Sequence, residues 1–176
     1  TIIEDSVLSL QQPSYATFKF KNIERSVMLS ADQFDARTQH QVIEFKNRLW
    51  LIGGESEGEK ETEYRNDIWS SFDGMNWRQE AANTEFAARS GHQVIAFKDK
   101  LWLIGGENKT GLLNDVWASE DGINWIQMKE HAEFSVRHKH QLVQFDGKLW
   151  LIGGEAGWGN NRSDIWSSED GISWTE

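Results

Sequence analysis

Apolar residues fall in short runs of four or five along the 176-residue chain, each run closed by a polar or glycine pair. That is the length of β-strands, and no run approaches the roughly 18 residues needed to cross a bilayer as a helix. One string, Leu-Trp-Leu-Ile-Gly-Gly-Glu, occurs three times without a change, at Leu49–Glu55, Leu101–Glu107 and Leu149–Glu155. Gly53 to Gly105 is 52 residues and Gly105 to Gly153 is 48. Self-similarity at such a period marks a repeat array.

Superposing the units shows which positions the repeat dictates. Each begins with Arg, two residues, then His-Gln, at Arg37–Gln41, Arg89–Gln93 and Arg137–Gln141. An apolar stretch ending in Phe follows (Phe45, Phe97, Phe145), then a tight polar turn and the Gly-Gly string. Each unit resumes with Asp67-Ile68-Trp69, Asp115-Val116-Trp117 or Asp164-Ile165-Trp166, and ends in an Asp-Gly turn before Trp77, Trp125 or Trp174. The pattern predicts four short strands per unit, a to d in chain order. Strands a and b read as apolar on both faces, c as alternating, and d as a polar outer edge. Asp-Gly between c and d predicts a tight hairpin in which both turn residues have positive φ. The double Gly predicts a close backbone approach that a Cβ forbids. Nine of the ten Trp occupy repeat positions, three per unit, and read as fillers between adjacent sheets.

Arg-x-x-His, Gly-Gly after an apolar strand, Asn/Ser-Asp-Ile/Val-Trp and the closing Trp together resemble kelch repeats over residues 37–176. Trp-Ser-Ser-x-Asp-Gly-x-x-Trp is similar to the bacterial type of that repeat. The resemblance implies an all-β fold, a kelch-type β-propeller of four-stranded antiparallel blades. The Asp-box of sialidase-like propellers fits less well, because its Asp position holds Phe72, Glu120 and Glu169.

Residues 15–36 align with the second half of the first unit when shifted by 52, placing Phe20 on Phe72 and Phe34 on Phe86. The expected organisation is a linker or added strand at 1–14 and a degenerate half repeat (strands c and d) at 15–36. Repeats then occupy 37–86, 87–134 and 135–176, the last without its outer strand. That is about three to three and a half blades, whereas propellers close with 4–8. The chain is therefore expected to be part of a longer propeller, or else one half of a homo-oligomer that completes the ring.

A net charge of −10 argues against a nucleic-acid or anionic-lipid binder. The absence of Cys excludes thiolate metal sites and Cys nucleophiles, and with them copper chemistry of the galactose-oxidase kind. No Ser-His-Asp pattern, phosphate loop or metal cluster is present, so no catalytic residue, cofactor or metal is assigned. Composition leaves the compartment open, with export to periplasm or cell surface favoured over cytoplasm.

In a four-stranded meander the b–c connections emerge on one face and the a–b and c–d turns on the other. Between Gly-Gly and Asp the b–c connections span 12, 8 and 9 residues, counted from Gly54 to Asp67, Gly106 to Asp115 and Gly154 to Asp164. Variable connections on a rigid scaffold are where binding resides. Candidate contacts there are Arg65, Lys109, Asn160, Arg162 and Trp158, the last alone in a Gly- and Asn-rich loop. Trp158 can stack on a sugar or a partner side chain, or fold back on its own blade. Arg37, Arg89 and Arg137 lie at the same face. In peptide-binding kelch propellers Arg at similar positions can line the pocket, and the resemblance implies the same option here. The favoured reading is that each pairs with Glu55, Glu107 or Glu155 of its own or a neighbouring unit. His40, His92 and His140 read as hydrogen-bonding structural residues. The leading functional reading is a non-catalytic module that recognises a protein or a glycan through this face. The alternatives are a sugar-modifying enzyme resembling sialic-acid mutarotase, or a spacer domain of a surface protein.

Overall fold

The computed structural model describes residues 15–20, 23–28, 33–59, 61–157 and 159–176. It is all-β and divides into two units, Thr1–Gln33 and Phe34–Glu176. The first unit contains one antiparallel hairpin, β1 (Tyr15–Phe20) with β2 (Ile23–Met28), whose register pairs Phe20 with Ile23. Its two-residue connection is shorter than any c–d connection in the second unit.

The second unit holds three sheets. Blade one is β3 (Gln41–Phe45), β4 (Arg48–Glu57), β5 (Thr62–Ser71) and β6 (Arg78–Ala81). Blade two is β7 (Gln93–Phe97), β8 (Lys100–Asn108), β9 (Gly111–Ser119) and β10 (Ile126–Lys129). Blade three has three strands, β11 (Gln141–Phe145), β12 (Lys148–Glu155) and β13 (Asn161–Ser168), with a lone bridge from Ser167 to Thr175 where a fourth begins.

Strand periodicity explains the repeated string. Successive side chains point to opposite faces, so the leucines of Leu-Trp-Leu-Ile face the preceding blade and its Trp and Ile face the following one. Phe45, Trp50, Ile52 and Ile68 of blade one thus meet Phe86, Val94, Leu101, Leu103, Trp117 and Trp125 of blade two in one core. A second core repeats the arrangement, with Phe97, Trp102, Ile104 and Val116 against Phe134, Leu149, Leu151 and Trp174. Among the three blades of the second unit, blade two alone has another of these blades on each side. Val42 of blade one is 47% exposed where its equivalent Val94 is 6%. The expectation that every strand a is buried on both faces therefore holds for β7 but not for β3 or β11.

The a–b connections are the tight polar turns expected from sequence, whereas the c–d connections are not the two-residue positive-φ hairpins expected there. The a–b turns Lys46-Asn47, Lys98-Asp99 and Asp146-Gly147 are two residues long with positive φ throughout, the hairpin geometry that matches strand twist. In the c–d connections only the Gly has positive φ. The Asp there accepts hydrogen bonds instead: Asp121 Oδ1 from the backbone N–H of Ile123 and Asn124, both at 2.8 Å. Those donors outweigh the opposing effect of burial and hold Asp121 down at about 2. Six residues, not two, separate β5 from β6 because this Asx-type turn must be accommodated.

Candidate functional site

Each Gly-Gly pair forms a bulge that ends the buried part of strand b and sets the b–c hairpin above it. Gly53 has φ +58°, and a Cβ there would stand 3.0 Å from His92 Cε1 and 3.1 Å from the Arg89 carbonyl of the next blade. Gly105 meets His140 and Arg137 in the same way. His92 and His140 are fully buried, and burial with the adjacent Arg89 or Arg137 drives each down to about 3, so they are neutral rings. Both ring nitrogens of His140 lack a partner among the described residues, so its role is packing rather than the hydrogen bonding expected from sequence.

The three arginines are built into the blades. Arg89 donates to both oxygens of Asp115 at 2.7 and 2.8 Å and to the Gly105 carbonyl at 3.0 Å. Trp117 Nε1 donates to the same carboxylate at 2.8 Å. Arg37 with Asp67 and Trp69, and Arg137 with Asp164 and Trp166, repeat this set. Arg137 and the Trp166 indole, opposed by some burial, hold the Asp164 carboxyl at about 2. The arginine partner is thus the Asp of strand c, not Glu55, Glu107 or Glu155 as the favoured sequence reading had it. A bidentate guanidinium fits a carboxylate 26 to 30 residues away once the segment before strand a reaches across the end of strand b to strand c.

Glu55, Glu107 and Glu155 point along the same face and link neighbouring segments. Glu55 accepts from Gln39 Nε2 at 2.5 Å and from Ser90 Oγ of blade two at 2.6 Å. Glu107 Oε2 lies 3.2 Å from His138 Nδ1 of blade three, and Glu155 Oε2 lies 3.1 Å from His138 Nε2 and 3.4 Å from Lys139 Nζ. Sequence reading assigned no role to His138. The signal was its position, one residue after the repeat Arg, where the other units have Thr38 and Ser90.

What reads as variable loops is mostly strand. Beyond the bulges, β4–β5 and β8–β9 continue as hairpins, leaving connections of residues 58–61 and 109–110. Between these two hairpins lies an open cleft of about 380 Å³, lined by Glu61, Thr62, Tyr64, Glu107, Asn108, Lys109, Thr110 and Gly111. Lys109 Nζ reaches across it to Glu61 Oε1 at 2.8 Å, lowering the Glu61 carboxyl and raising the lysine. Partial burial, then the charges of Glu107 and Glu55, push the Tyr64 phenol up. Tyr64, Glu61 and Asn108 are cleft residues that sequence reading missed; Tyr64 lies in β5, opposite Glu55.

The other sequence-predicted residues distribute as follows. Arg65, beside Asp35 at 3.3 Å and Ser56 at 3.2 Å, sits on β5 next to Tyr64. Arg162 is the second residue of β13, with its side chain exposed, and Asn160 closes the adjacent turn by backbone bonds to Ala156 and Gly157. Trp158 lies outside the described residues. Among the described residues no three His, Asp or Glu side chains converge as a metal-ligand set, and no helix is long and apolar enough to cross a membrane.

Repeated Arg–Asp–Trp units on four-stranded blades, each bulged at Gly-Gly, invite a comparison with known families. A family profile described as the KLHDC2/KLHL20/DRC7 Kelch-repeats domain matches residues 14–170. The chain belongs to the kelch-repeat family. No curated protein sequence matches it. Among solved structures, one described as the structure of YjhT superposes with a TM-score of 0.71 at 16% identity. The match covers 92% of this kelch chain and 57% of that one, so the chain spans less than two thirds of its structural relative. At that identity the likeness is one of fold, a partial propeller.

Proposed function

We propose that this kelch chain is a non-catalytic recognition module whose partner, a protein or a glycan, docks on the face of the b–c hairpins. The observation that supports it is the cleft between the first two hairpins, where Tyr64, Glu107, Asn108 and Lys109 present an aromatic ring, both charges and an amide. An aromatic platform beside polar groups suits either partner class. The arginines and buried histidines are occupied inside the blades, so the hairpin residues carry the contact, Arg65 and Arg162 at the flanks. Glycan-array and affinity-capture binding tests this: Glu61→Lys or Lys109→Glu abolishes it, and Asp99→Lys on the opposite face leaves it intact. Equal binding by all three variants contradicts the proposal.

The proposal extends to the free face of blade three. Phe145 is 67%, Ile165 49% and Ile152 42% exposed, whereas their equivalents in blade two are all 4% or less. In blades one and two this face is covered by the next blade. A further kelch blade is the fitting occupant here, as part of a longer propeller, with closure by a second copy as the alternative.

A second reading, a sugar-modifying enzyme resembling sialic-acid mutarotase, is favoured by one feature. His138 held between two carboxylates at this mouth is a positioned acid–base group. Anomeric exchange of free sialic acid followed by NMR tests it, and a rate equal to that in buffer removes it.

A further inference from the structure

We propose that His138 is a proton switch on the candidate cleft: protonated, it ties Glu107 of blade two to Glu155 of blade three; neutral, it releases Glu107 toward the cleft. This rests on the recognition reading above and supplies its regulation.

The residue after the repeat Arg reaches the Gly-Gly-Glu carboxylate of the preceding blade. Ser90 does so with one neutral donor, its hydroxyl, to Glu55 at 2.6 Å. His138 occupies the same place but offers two nitrogens, one toward each of two carboxylates. Nε2 is hydrogen-bonded with Glu155 at 3.1 Å, whereas Nδ1 stands 3.2 Å from Glu107 Oε2 at ion-pair distance but out of hydrogen-bond alignment. A neutral imidazole carries one N–H, so with Nε2 donating to Glu155 it turns a lone pair toward Glu107; the imidazolium donates to both. The contact with Glu107 is therefore the one that requires the proton.

The other charges around the ring reinforce the asymmetry. Lys139 Nζ, 3.4 Å from Glu155 Oε2, compensates that carboxylate whether or not His138 is charged. Arg137 is committed to Asp164, and the neighbouring His140 is neutral. Facing Ser90 and Gly91 of blade two add no charge at the ring. With its side chain 11% exposed, His138 exchanges protons with solvent yet is screened little. Histidine is the side chain whose charge can change near neutrality. Glu107 also lines the cleft, so its charge compensation there changes with pH.

The test is an NMR titration of the histidine ring and backbone amides between pH 5 and 9. It uses the wild-type chain, Glu107→Gln and His138→Ser; the last installs the residue that blade two tolerates at this place. The expected result is a lower His138 midpoint in Glu107→Gln than in the wild type. The amides of Asn108 to Gly111 follow the His138 midpoint in the wild type and do not titrate in His138→Ser. An unchanged midpoint in Glu107→Gln, or amides that still titrate in His138→Ser, overturns the proposal. None of these readouts needs a partner, so their failure leaves the recognition reading standing. Failure of partner binding with an intact titration sinks that reading alone.

Discussion

Gly122, in the c–d turn of blade two, lies flat on the indole of Trp50 in blade one: a Cβ built there would stand 2.9 Å from three ring carbons. Gly171 meets Trp102 in the same way, at 2.7 Å. Gly74 shares their positive φ but, among the described residues, meets only Leu49 Cδ1 at 3.4 Å. An Ala at Gly122 or Gly171 thus adds a clash to backbone strain, and at Gly74 adds strain alone. Urea unfolding of Gly122→Ala should show a loss of about 2–4 kcal/mol, against about 1–2 kcal/mol for Gly74→Ala. Equal losses would mean that the blades are not wedged through this contact.

Arg89 is 1% exposed and bound to Asp115, Gly105 and the ring of Phe86. Removing one partner of such a pair strands a buried charge. Arg89→Ala and Asp115→Asn should each cost about 3–5 kcal/mol in the same assay, and Arg89→Lys should rescue only part because it loses the bidentate geometry. Arg162→Ala, on an exposed side chain, should stay within about 0.5 kcal/mol.

These pairs also mark how far the sequence was legible. The blade count, the strands and the faces of Leu-Trp-Leu-Ile follow from periodicity, because a strand's two-residue period leaves little freedom. The arginine's partner did not, although Asp recurs in register with it: Arg precedes strand a and Asp lies in strand c, on the far side of strand b, and no local pattern says which carboxylate wins. The cleft was legible as a face but not as a place. Lys109 was named from its exposed turn, while Tyr64 was hidden inside a segment read as loop. The extension of β4 and β5 past the Gly bulge puts it there.

Stability should fall in acid. His92 and His140 titrate near 3 when folded and near 6.5 when unfolded. The unfolded chain therefore binds more protons between those values, so stability is greatest above pH 6.5 and declines as pH falls toward 3. The slope approaches about 1.4 kcal/mol per pH unit for each ring. Asp121 and Asp164, held at about 2, add a further loss below pH 3.8. Unfolding free energies at pH 7, 5.5 and 4.5 check this; a flat profile down to pH 4.5 contradicts the buried neutral rings.

The free face of blade three predicts association. If a second copy covers it, light scattering gives twice the 20.3 kDa chain mass, and Phe145→Asp returns it to the monomer. If a blade of a longer chain does, the 176-residue chain is monomeric, and extending it by a copy of residues 87–134 shifts Trp150 fluorescence to the blue. A monomer whose fluorescence is unmoved by the added blade rejects both.

Recognition through the b–c hairpins is tested most directly by hydrogen exchange on the chain with and without whatever array glycan or captured protein binds it. The account predicts slowed exchange confined to residues 55–66, 107–114 and 159–163, with the a–b turns at 46–47 and 98–99 unchanged. Protection centred on those turns, with the hairpins unaffected, would contradict it.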